Sequence, residues 1–275
     1  MSKTIFITGA SRGFGRIWAE AFLQRGDQVV VTSRNADGLA DLVEKYGSAV
    51  LTLQLEVTNR AACFDAMSKA KTHFGKIDVL INNAGTGLFG AVEELEEQAS
   101  RDIIDANLFG TLWMTQAALP VMRAQGAGHI LQLSSALGVY SFATVGMYSA
   151  SKFAVEGLSE ALAQEVRNFG IHITLVEPNG YATDFGTSSV QSKPVAAYDD
   201  MKAELYAQPE FSAADAYGDP KATSEAILKL VDTANPPLRL ILGRKALPLA
   251  QSFYAERLST WKNWEDVSVR AHGLL

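Results

Sequence analysis

Seven short runs rich in β-branched and aliphatic residues recur along this 275-residue chain, and helix-length segments separate them. The runs are Thr4 to Thr8, Gln28 to Ser33, Val50 to Leu55, Asp78 to Ile81, His129 to Ser134, Ile171 to Glu177 and Leu238 to Leu242. They show little polar alternation, which is typical of strands covered on both faces. Strands that alternate with helices predict parallel crossovers. We therefore expect an α/β fold: a Rossmann-type doubly wound parallel sheet of about seven strands flanked by helices.

The helix-length segments lie near 36–46, 59–74, 97–125, 147–168 and 220–233, after a first helix that Gly26 should end in a left-handed cap. No linker rich in Pro, Gly or Ser and no internal repeat divides the sequence. We therefore expect residues 1–275 to form one domain. Within it, residues from about 184 to 218 are predicted to form a mobile cover over the substrate. The pattern weakens in a C-terminal tail, about 245–275.

Charge and composition exclude several kinds of partner. The net charge is -6 and there is no basic cluster, so nucleic acid and anionic membrane surfaces are not expected partners. The four histidines lie far apart and Cys63 is the only cysteine, so neither a metal site nor an internal disulfide is expected. The first strand begins at Thr4 and leaves no room for a signal peptide, so we expect a cytoplasmic protein.

A glycine-rich turn, Gly9 to Gly15, directly follows the first predicted strand and opens the first helix. Such a turn lets backbone N–H groups approach a pyrophosphate at the positive end of the helix. Its glycine spacing differs from the common dinucleotide fingerprint, so a plain strand-to-helix turn is the alternative. Ser11, Arg12, Gly13 and Phe14 lie within it.

Polar segments also follow three later strands: Asn82 to Gly85, Ser135, and Pro178 to Thr183. Ligands of open α/β sheets bind at the carboxyl ends of the strands, so these segments should gather beside the glycine turn. Taken singly, Asn83 could be a turn residue, and Asn107, in the long predicted helix, a buried structural amide.

Tyr148 and Lys152 stand four residues apart, which puts both side chains on one helix face. A charge pair about 4 Å apart at an effective dielectric of ~20 is worth roughly 4 kcal/mol, so the phenol pKa could fall from ~10 toward ~7. Tyr148 is then a usable general acid. The hydroxyl of Ser135 could polarise the same substrate oxygen. An ordinary amphipathic Tyr–Lys pair is the alternative.

Together these motifs resemble the short-chain dehydrogenase/reductase family, over roughly Lys3 to Leu242. The resemblance implies a catalytic tetrad of Asn107, Ser135, Tyr148 and Lys152, in which the lysine also binds the nicotinamide ribose and the asparagine holds a water. The candidate cofactor-binding residues are Gly9, Ser11, Arg12, Gly13, Phe14, Gly15, Ser33, Arg34, Glu56, Val57, Asn83, Ala84, Gly85, Tyr148, Lys152, Pro178, Gly180 and Thr183. Two residues depart from the family pattern: Glu56 stands in place of an aspartate, and Asn179 in place of the glycine after Pro178.

Ser33 and Arg34 stand at the end of the second strand, where an NAD-type site carries Asp or Glu for the ribose 2′-hydroxyl. The guanidinium groups of Arg34 and Arg12 match a 2′-phosphate through charge-assisted hydrogen bonds. NADP(H) is therefore favoured. If both arginines are only solvated surface residues, NAD(H) is the alternative cofactor, and Asp37 is an acidic residue not far away.

Apolar and aromatic side chains predict the substrate class. The candidates are Leu88, Phe89, Leu137, Val139, Tyr140, Phe142, Tyr181 and Phe185. They favour a neutral, moderately hydrophobic ketone, aldehyde or alcohol, which makes an NADP(H)-dependent oxidoreductase of the carbonyl reductase or alcohol dehydrogenase type the leading hypothesis. A non-catalytic dinucleotide-sensing module, or an epimerase or dehydratase on the same scaffold, is the alternative. The family commonly pairs subunits through its long helices, so a homodimer or homotetramer is expected.

Overall fold

The computed structural model describes residues 2–213 and 216–273. The predicted single domain, cover and tail also include residues 1, 214–215 and 274–275, which lie outside the described residues.

Among the described residues, seven strands form one parallel sheet in the order β3-β2-β1-β4-β5-β6-β7. The strands are β1 Thr4–Ile7, β2 Gln28–Ser33, β3 Val50–Gln54, β4 Val79–Asn82, β5 Gly128–Leu133, β6 Ile171–Pro178 and β7 Arg239–Leu242. The order reverses between β1 and β4, which is the place where ligands bind in doubly wound sheets. The predicted fold class is confirmed.

Helices pack on both faces of this sheet, and others lie in the cover and in the tail. They are α1 Gly13–Arg25, α2 Ala40–Tyr46, α3 Arg60–Phe74, α4 Glu97–Ile104, α5 Gly110–Gln125, α6 Gly146–Glu165, α7 Phe185–Ser188, α8 Asp199–Ala207, α9 Pro209–Ser212, α10 Thr223–Asp232, α11 Ala246–Asn263 and α12 Glu265–Ala271. Gly26 ends α1 with φ +93°, as expected. The predicted helix near 97–125 is present as α4 and α5, joined by a π-helical segment, Asp105–Phe109.

Alternate residues of the central strands face opposite cores, because successive side chains of a strand point to opposite faces. Ile5 and Ile7 pack with Trp18 and Phe22 of α1 on one face. Phe6 packs with residues of α3 and α5 on the other face. This double burial explains why the strands are continuous apolar runs in the sequence.

The tail is more ordered than its sequence pattern predicts. Helix α11 packs through Ala246, Ala250 and Phe253 against Tyr140. Its outer face and α12 are exposed, including Trp261 and Trp264. Because apolar residues lie on both sides of α11, no single buried stripe marks the helix in the sequence.

A short parallel pair lies apart from the main sheet. Leu88–Phe89 pairs with Val190–Gln191, which belongs to the predicted cover. The cover therefore begins beside the segment that follows β4. Within the described ranges, no helix is both long and apolar enough to cross a membrane.

Candidate active site

Hydrogen bonds tie β1 to β4 at the carboxyl edge of the sheet. The Nδ2 of Asn83 donates to the carbonyl oxygens of Thr8 and Gly9, each at 2.9 Å. In return, Thr8 Oγ1 accepts from the backbone N–H groups of Asn83 and Ala84, each at 3.0 Å. One asparagine thus fixes the backbone at the start of the glycine turn.

The glycine turn is too tightly packed for side chains at two of its positions. A Cβ added at Gly9, where φ is +67°, would lie 2.9 Å from Ala84 Cα. A Cβ at Gly15 would lie 2.5 Å from both Asn83 Nδ2 and the carbonyl oxygen of Gly9. Gly13 has φ +58°, and a Cβ added there would lie 4.0 Å from Thr183 Cβ. The turn therefore lies next to the segment that follows β6, as the sequence predicts.

The N-terminus of α1 fits an anion. Its first turn, all of it described, contains no acidic residue, and the side chain of Arg12 does not cap it. Ser11 and Arg12 are exposed. Because the N-terminal end of a helix carries a partial positive charge, an exposed and uncapped glycine turn suits phosphate groups. Phe14 stacks on Trp18 at 5.0 Å between ring centroids, so its side chain anchors the turn to the core.

The end of β2 presents Arg34 to solvent. Ser33 is buried, and its Oγ accepts from the N–H of Asn35 at 3.3 Å. The carbonyl oxygen of Arg34 accepts from Gln54 Nε2 at 3.0 Å, which fixes its backbone while the side chain stays exposed.

Glu56 and Val57 follow β3 and differ in their surroundings. Glu56 is exposed, and its Oε1 accepts from the N–H of Thr58 at 3.2 Å. Val57 is buried, and a Cβ added at Gly110 would lie 2.7 Å from Val57 Cγ2. Val57 thus packs against the start of α5, and only Glu56 offers an exposed side chain.

Asn107 lies in the π-helical segment and is 1 % exposed. Its Oδ1 accepts from the N–H of Thr86 at 2.8 Å, and its Nδ2 donates to Thr86 O at 3.0 Å and Ser151 Oγ at 2.9 Å. Ser151 Oγ in turn donates to the carbonyl oxygen of Tyr148 at 2.7 Å. Asn107 therefore connects the end of β4 to the first turns of α6. A π-helical turn inside an α-helix is common at functional sites.

Tyr148 is buried beside Ser135, and its pKa moves opposite to our expectation. Burial raises the pKa of Tyr148 to about 12, against the lowering effect of the hydrogen bond with Ser135. The predicted pKa near ~7 is wrong for this geometry, because removing a phenolate from water costs more than the Ser135 hydrogen bond returns. At neutral pH the phenol carries its proton.

The side chain of Lys152 binds the backbone at the end of β5. Its Nζ donates to the carbonyl oxygen of Leu133 at 2.7 Å and lies 5.8 Å from the centroid of the Tyr148 ring. Burial lowers the pKa of Lys152 to about 8, and the Glu156 carboxylate partly offsets this effect. A Cβ added at Gly85 would lie 3.8 Å from Lys152 Nζ and 2.9 Å from Asn107 Oδ1. The lysine thus reaches the segment after β4.

Four predicted substrate-binding residues lie around Tyr148. Leu88 packs against Tyr148, and Leu137 lies against the same small cluster. The Phe185 ring centroid is 5.4 Å from that of Tyr148 and 6.4 Å from that of Phe89. These side chains surround the phenol with apolar surface.

The other four lie in two different places. Tyr140 stacks on Phe253 at 4.9 Å, and Phe142 contacts Phe253 and Phe211 at 5.8 and 5.5 Å. Val139 lies at the edge of the same cluster. These three link the tail to the end of the cover.

Tyr181 packs edge-on against Phe14 at 5.2 Å, on the glycine-turn side of the sheet. Pro178 ends β6, and Asn179 N–H donates to Leu242 O at 3.0 Å. The adjoining carbonyl oxygen of Gly180 accepts from Gly218 N–H at 2.9 Å. Tyr181 therefore lies apart from the Leu88 and Phe185 group.

Contacts that anchor the cover were not found from the sequence. Buried Glu94 pairs with Lys202 of α8 and accepts from the N–H groups of Ala91 and Val195, each at 2.7 Å. The hydrogen bonds to Lys202 and to the Val195 N–H lower the pKa of Glu94 to about 2. Glu94 and Lys202 lie 108 residues apart, so no local pattern could join them.

No group of three or more His, Cys, Asp or Glu side chains suited to a metal ion occurs within residues 2–213 and 216–273. A surface cavity of about 440 Å³ lies along α4. It is lined by Glu97, Ser100, Arg101, Ile104, Asp105, Phe109 and Met147.

The family model described as short chain dehydrogenase matches residues 3–194. The chain is 37 % identical over 274 residues to oxidoreductase BOA17 of Botryotinia fuckeliana (strain B05.10), covering 98 % of this chain and 99 % of the relative. A solved short-chain dehydrogenase from Streptomyces avermitilis matches with a TM-score of 0.88 and 37 % identity, covering 98 % of both chains. An alcohol dehydrogenase from the archaeon Thermococcus sibiricus, complexed with 5-hydroxy-NADP, matches with a TM-score of 0.72 and 27 % identity, covering 88 % of this chain and 96 % of that chain.

Removing the amide of Asn83 tests the tie between β1 and β4. We expect Asn83→Ala to lower the free energy of unfolding by about 1 to 3 kcal/mol, because two backbone carbonyls lose a donor, and to weaken dinucleotide binding as well. Asn59→Ala is the control: it removes the N-cap of α3, where Asn59 Oδ1 accepts from Ala62 N–H, and should cost about 1 kcal/mol. Denaturant melts and fluorescence titrations with NADPH and NADH measure both effects. Equal dinucleotide affinity in the two variants contradicts a role for Asn83 in shaping the turn.

Proposed function

The chain is an oxidoreductase of the short-chain dehydrogenase/reductase family, and we propose that it uses NADP(H) to interconvert a neutral, moderately hydrophobic ketone or aldehyde and its alcohol. One observation carries the proposal: a protonated, buried phenol at Tyr148 lies beside the hydroxyl of Ser135, with apolar side chains around it. An apolar pocket with a few convergent polar groups is the usual form of a small-molecule site.

The proposed dinucleotide site follows the carboxyl edge of the sheet. The glycine turn and the N-terminus of α1 hold the phosphates, because a helix N-terminus favours anions. The segment after β4 and the exposed Glu56 lie along the adenosine side. Thr183, beside the glycine turn, and Lys152 hold the nicotinamide end. When bound, the nicotinamide supplies or accepts the hydride.

In alcohol oxidation the phenolate form of Tyr148 is the proposed general base, and in carbonyl reduction the protonated Tyr148 is the proposed general acid. Its hydroxyl donates the proton to the substrate oxygen while Ser135 donates a second hydrogen bond to that oxygen. The high pKa of Tyr148 keeps the proton on the phenol until the substrate oxygen becomes basic. The phenolate left behind is stabilised by Ser135 and by the ammonium of Lys152. Asn107 positions this assembly through Ser151 and holds the backbone around α6.

NADP(H) rather than NAD(H) is proposed from the end of β2. Arg34 and Arg12 are both exposed, and the sequence places no acidic residue at 33–35. A guanidinium forms paired hydrogen bonds with a phosphate. Structural neighbours are complexed with NAD as well as with NADP derivatives, so the proposal of NADP(H) rests on the two arginines.

The substrate class is proposed from the side chains next to Tyr148. Leu88, Leu137, Phe89 and Phe185 are all apolar, so a charged substrate would lose hydration there without compensation. We also propose a homodimer or homotetramer through the long helices. Phe109 and Phe153, on those helices, expose more than a third of their surface, and the cavity along α4 is close by.

A screen of NADPH oxidation over diverse ketones and aldehydes, with NADH in parallel, tests the proposed reaction. We expect turnover of neutral apolar carbonyl compounds with NADPH. A protein that binds NADPH but turns over no carbonyl or alcohol supports the sensing alternative. Substrate conversion without net cofactor consumption supports an epimerase or dehydratase.

Tyr148→Phe tests the proton donor. The change removes one oxygen, so we expect the fold and NADPH affinity to persist while kcat falls by about 10²- to 10⁴-fold, the usual contribution of a positioned acid. Tyr140→Phe is the matched control, because Tyr140 is also buried and its ring stacks on Phe253. Near-parent turnover in Tyr148→Phe, with cofactor binding intact, refutes the mechanism.

Arg34→Ala tests the cofactor. Loss of a charge-assisted contact should cost about 1.5 to 3 kcal/mol, or roughly ten- to a hundredfold in NADPH affinity, and barely change NADH affinity. Arg123→Ala, at an exposed arginine in the last turn of α5, should change neither affinity. If Arg34→Ala lowers the affinities for NADPH and NADH equally, the arginine has a structural role and the argument for NADP(H) is lost.

A further inference from the structure

A buried cluster of charged side chains lies one helical turn beyond Lys152. Glu156 of α6 and Glu177 of β6 are 6 % and 0 % exposed. Arg239 of β7 contacts both: its Nη2 lies 3.0 Å from Glu156 Oε2, and its Nε lies 3.2 Å from Glu177 Oε1. Glu160, half exposed, also contacts Arg239 Nη2 at 2.7 Å. Three carboxyl groups therefore share one guanidinium.

The charges of this cluster do not balance if every carboxyl group is ionised. Glu160 is solvated by water, so its charge costs little. Arg239 contacts both Glu156 and Glu177, and one guanidinium compensates the charge of only one buried carboxylate, so a second one is strongly unfavourable. Two carboxyl groups that share a site avoid this free-energy cost when one of them stays protonated.

The hydrogen bonds of the Glu156 and Glu177 carboxyl groups also indicate that one of them keeps a proton. Within the described part of the chain, both oxygens of Glu177, Oε1 of Glu156 and the neighbouring Ser134 Oγ are buried without a well-formed hydrogen bond, although Arg239 Nε lies 3.2 Å from Glu177 Oε1. Buried polar atoms normally have a partner. A proton on one carboxyl group supplies a donor to the other. Burial, followed by the charge of Glu156, raises the pKa of Glu177, and burial likewise raises the pKa of Glu156.

The cluster is continuous with the candidate active site. Glu156 follows Lys152 by four residues on α6, so the two side chains lie on one helix face. On the other side, a Cβ added at Gly138 would lie 2.6 Å from Ser134 Oγ and 3.2 Å from Glu156 Oε1. Ser134 precedes Ser135 in the chain. The carboxyl pair thus lies behind both Lys152 and Ser135.

We propose that Glu156 and Glu177 share one proton at neutral pH, and that the single negative charge left on the pair keeps Lys152 as an ammonium. Both are positioning residues, since they act through Lys152. A fully protonated pair would leave the buried ammonium without a compensating charge. A doubly ionised pair would place two buried carboxylates against the one guanidinium that contacts both. The role given to Lys152 rests on the proposed function, whereas the shared proton does not.

Infrared spectroscopy of the whole protein tests the shared proton, because a protonated carboxyl group has a C=O band that carboxylates lack. At neutral pH we expect this band in the parent protein and its loss in both Glu177→Gln and Glu156→Gln, each of which leaves one carboxylate facing Arg239. Glu160→Gln is the matched control, since it removes an exposed partner of the same guanidinium, and should keep the band. Absence of the band in the parent, or its persistence in both buried variants, overturns the proposal.

Titration of lysines labelled with carbon-13 at Cε, observed by NMR and assigned with Lys152→Arg, tests the effect on Lys152. The double variant Glu156→Gln/Glu177→Gln, which removes the remaining negative charge of the pair, should make Lys152 lose its proton roughly tenfold more readily, as expected for removal of one nearby opposite charge. Glu160→Gln should leave that titration unchanged. Equal titrations of Lys152 in the parent and in this double variant overturn the role of the pair. Neither measurement needs turnover, so a failed carbonyl screen and a failed carboxyl-pair test remain separate results.

Discussion

The geometry of the candidate site depends on the hydrogen-bonded tie between β1 and β4 at Thr8 and Asn83. Parallel strands place all their carboxyl ends at one edge, but that alone does not fix the loops that follow. Asn83 fixes them by donating to the carbonyl oxygens of Thr8 and Gly9. Glycine is needed at positions 9 and 15 beside this tie. A side chain at either position would collide with Ala84 or with the asparagine itself. The tie therefore decides where a phosphate can approach α1.

Burial, rather than charge pairing, dominates the titration of the two groups at the centre of the site. It raises the pKa of Tyr148 to about 12 and lowers that of Lys152 to about 8. Both shifts favour the uncharged form, as expected when water is removed from around an ionisable group. The consequence is a phenol that holds its proton and an ammonium that needs support from neighbouring carboxylate charge. Glu156 is placed to give that support.

The sheet was predictable because its central strands are buried on both faces and therefore stand out as continuous apolar runs. The glycine turn and Asn83 were recognisable for a similar reason: their roles are local, and short motifs carry them. The pKa of Tyr148 was not predictable, since spacing fixes which helix face a side chain occupies but not how much water surrounds it. Tyr181 was placed with the substrate residues, although its ring packs against Phe14. The clusters around Glu94 and around Glu177 join residues that are distant in sequence, so no local pattern reveals them.

The central claim is that a hydride moves between the nicotinamide and a carbonyl carbon while Tyr148 supplies the proton. The most direct measurement is reduction of a ketone identified in the carbonyl screen by NADPH that carries deuterium at C4 of the nicotinamide, with each of the two C4 positions labelled in turn. Mass spectrometry and NMR of the alcohol locate the label. The account predicts that one of the two labelled cofactors transfers its deuterium to the carbinol carbon, with one cofactor consumed per alcohol formed. An alcohol without deuterium from either cofactor, or a product formed without net loss of NADPH, contradicts it.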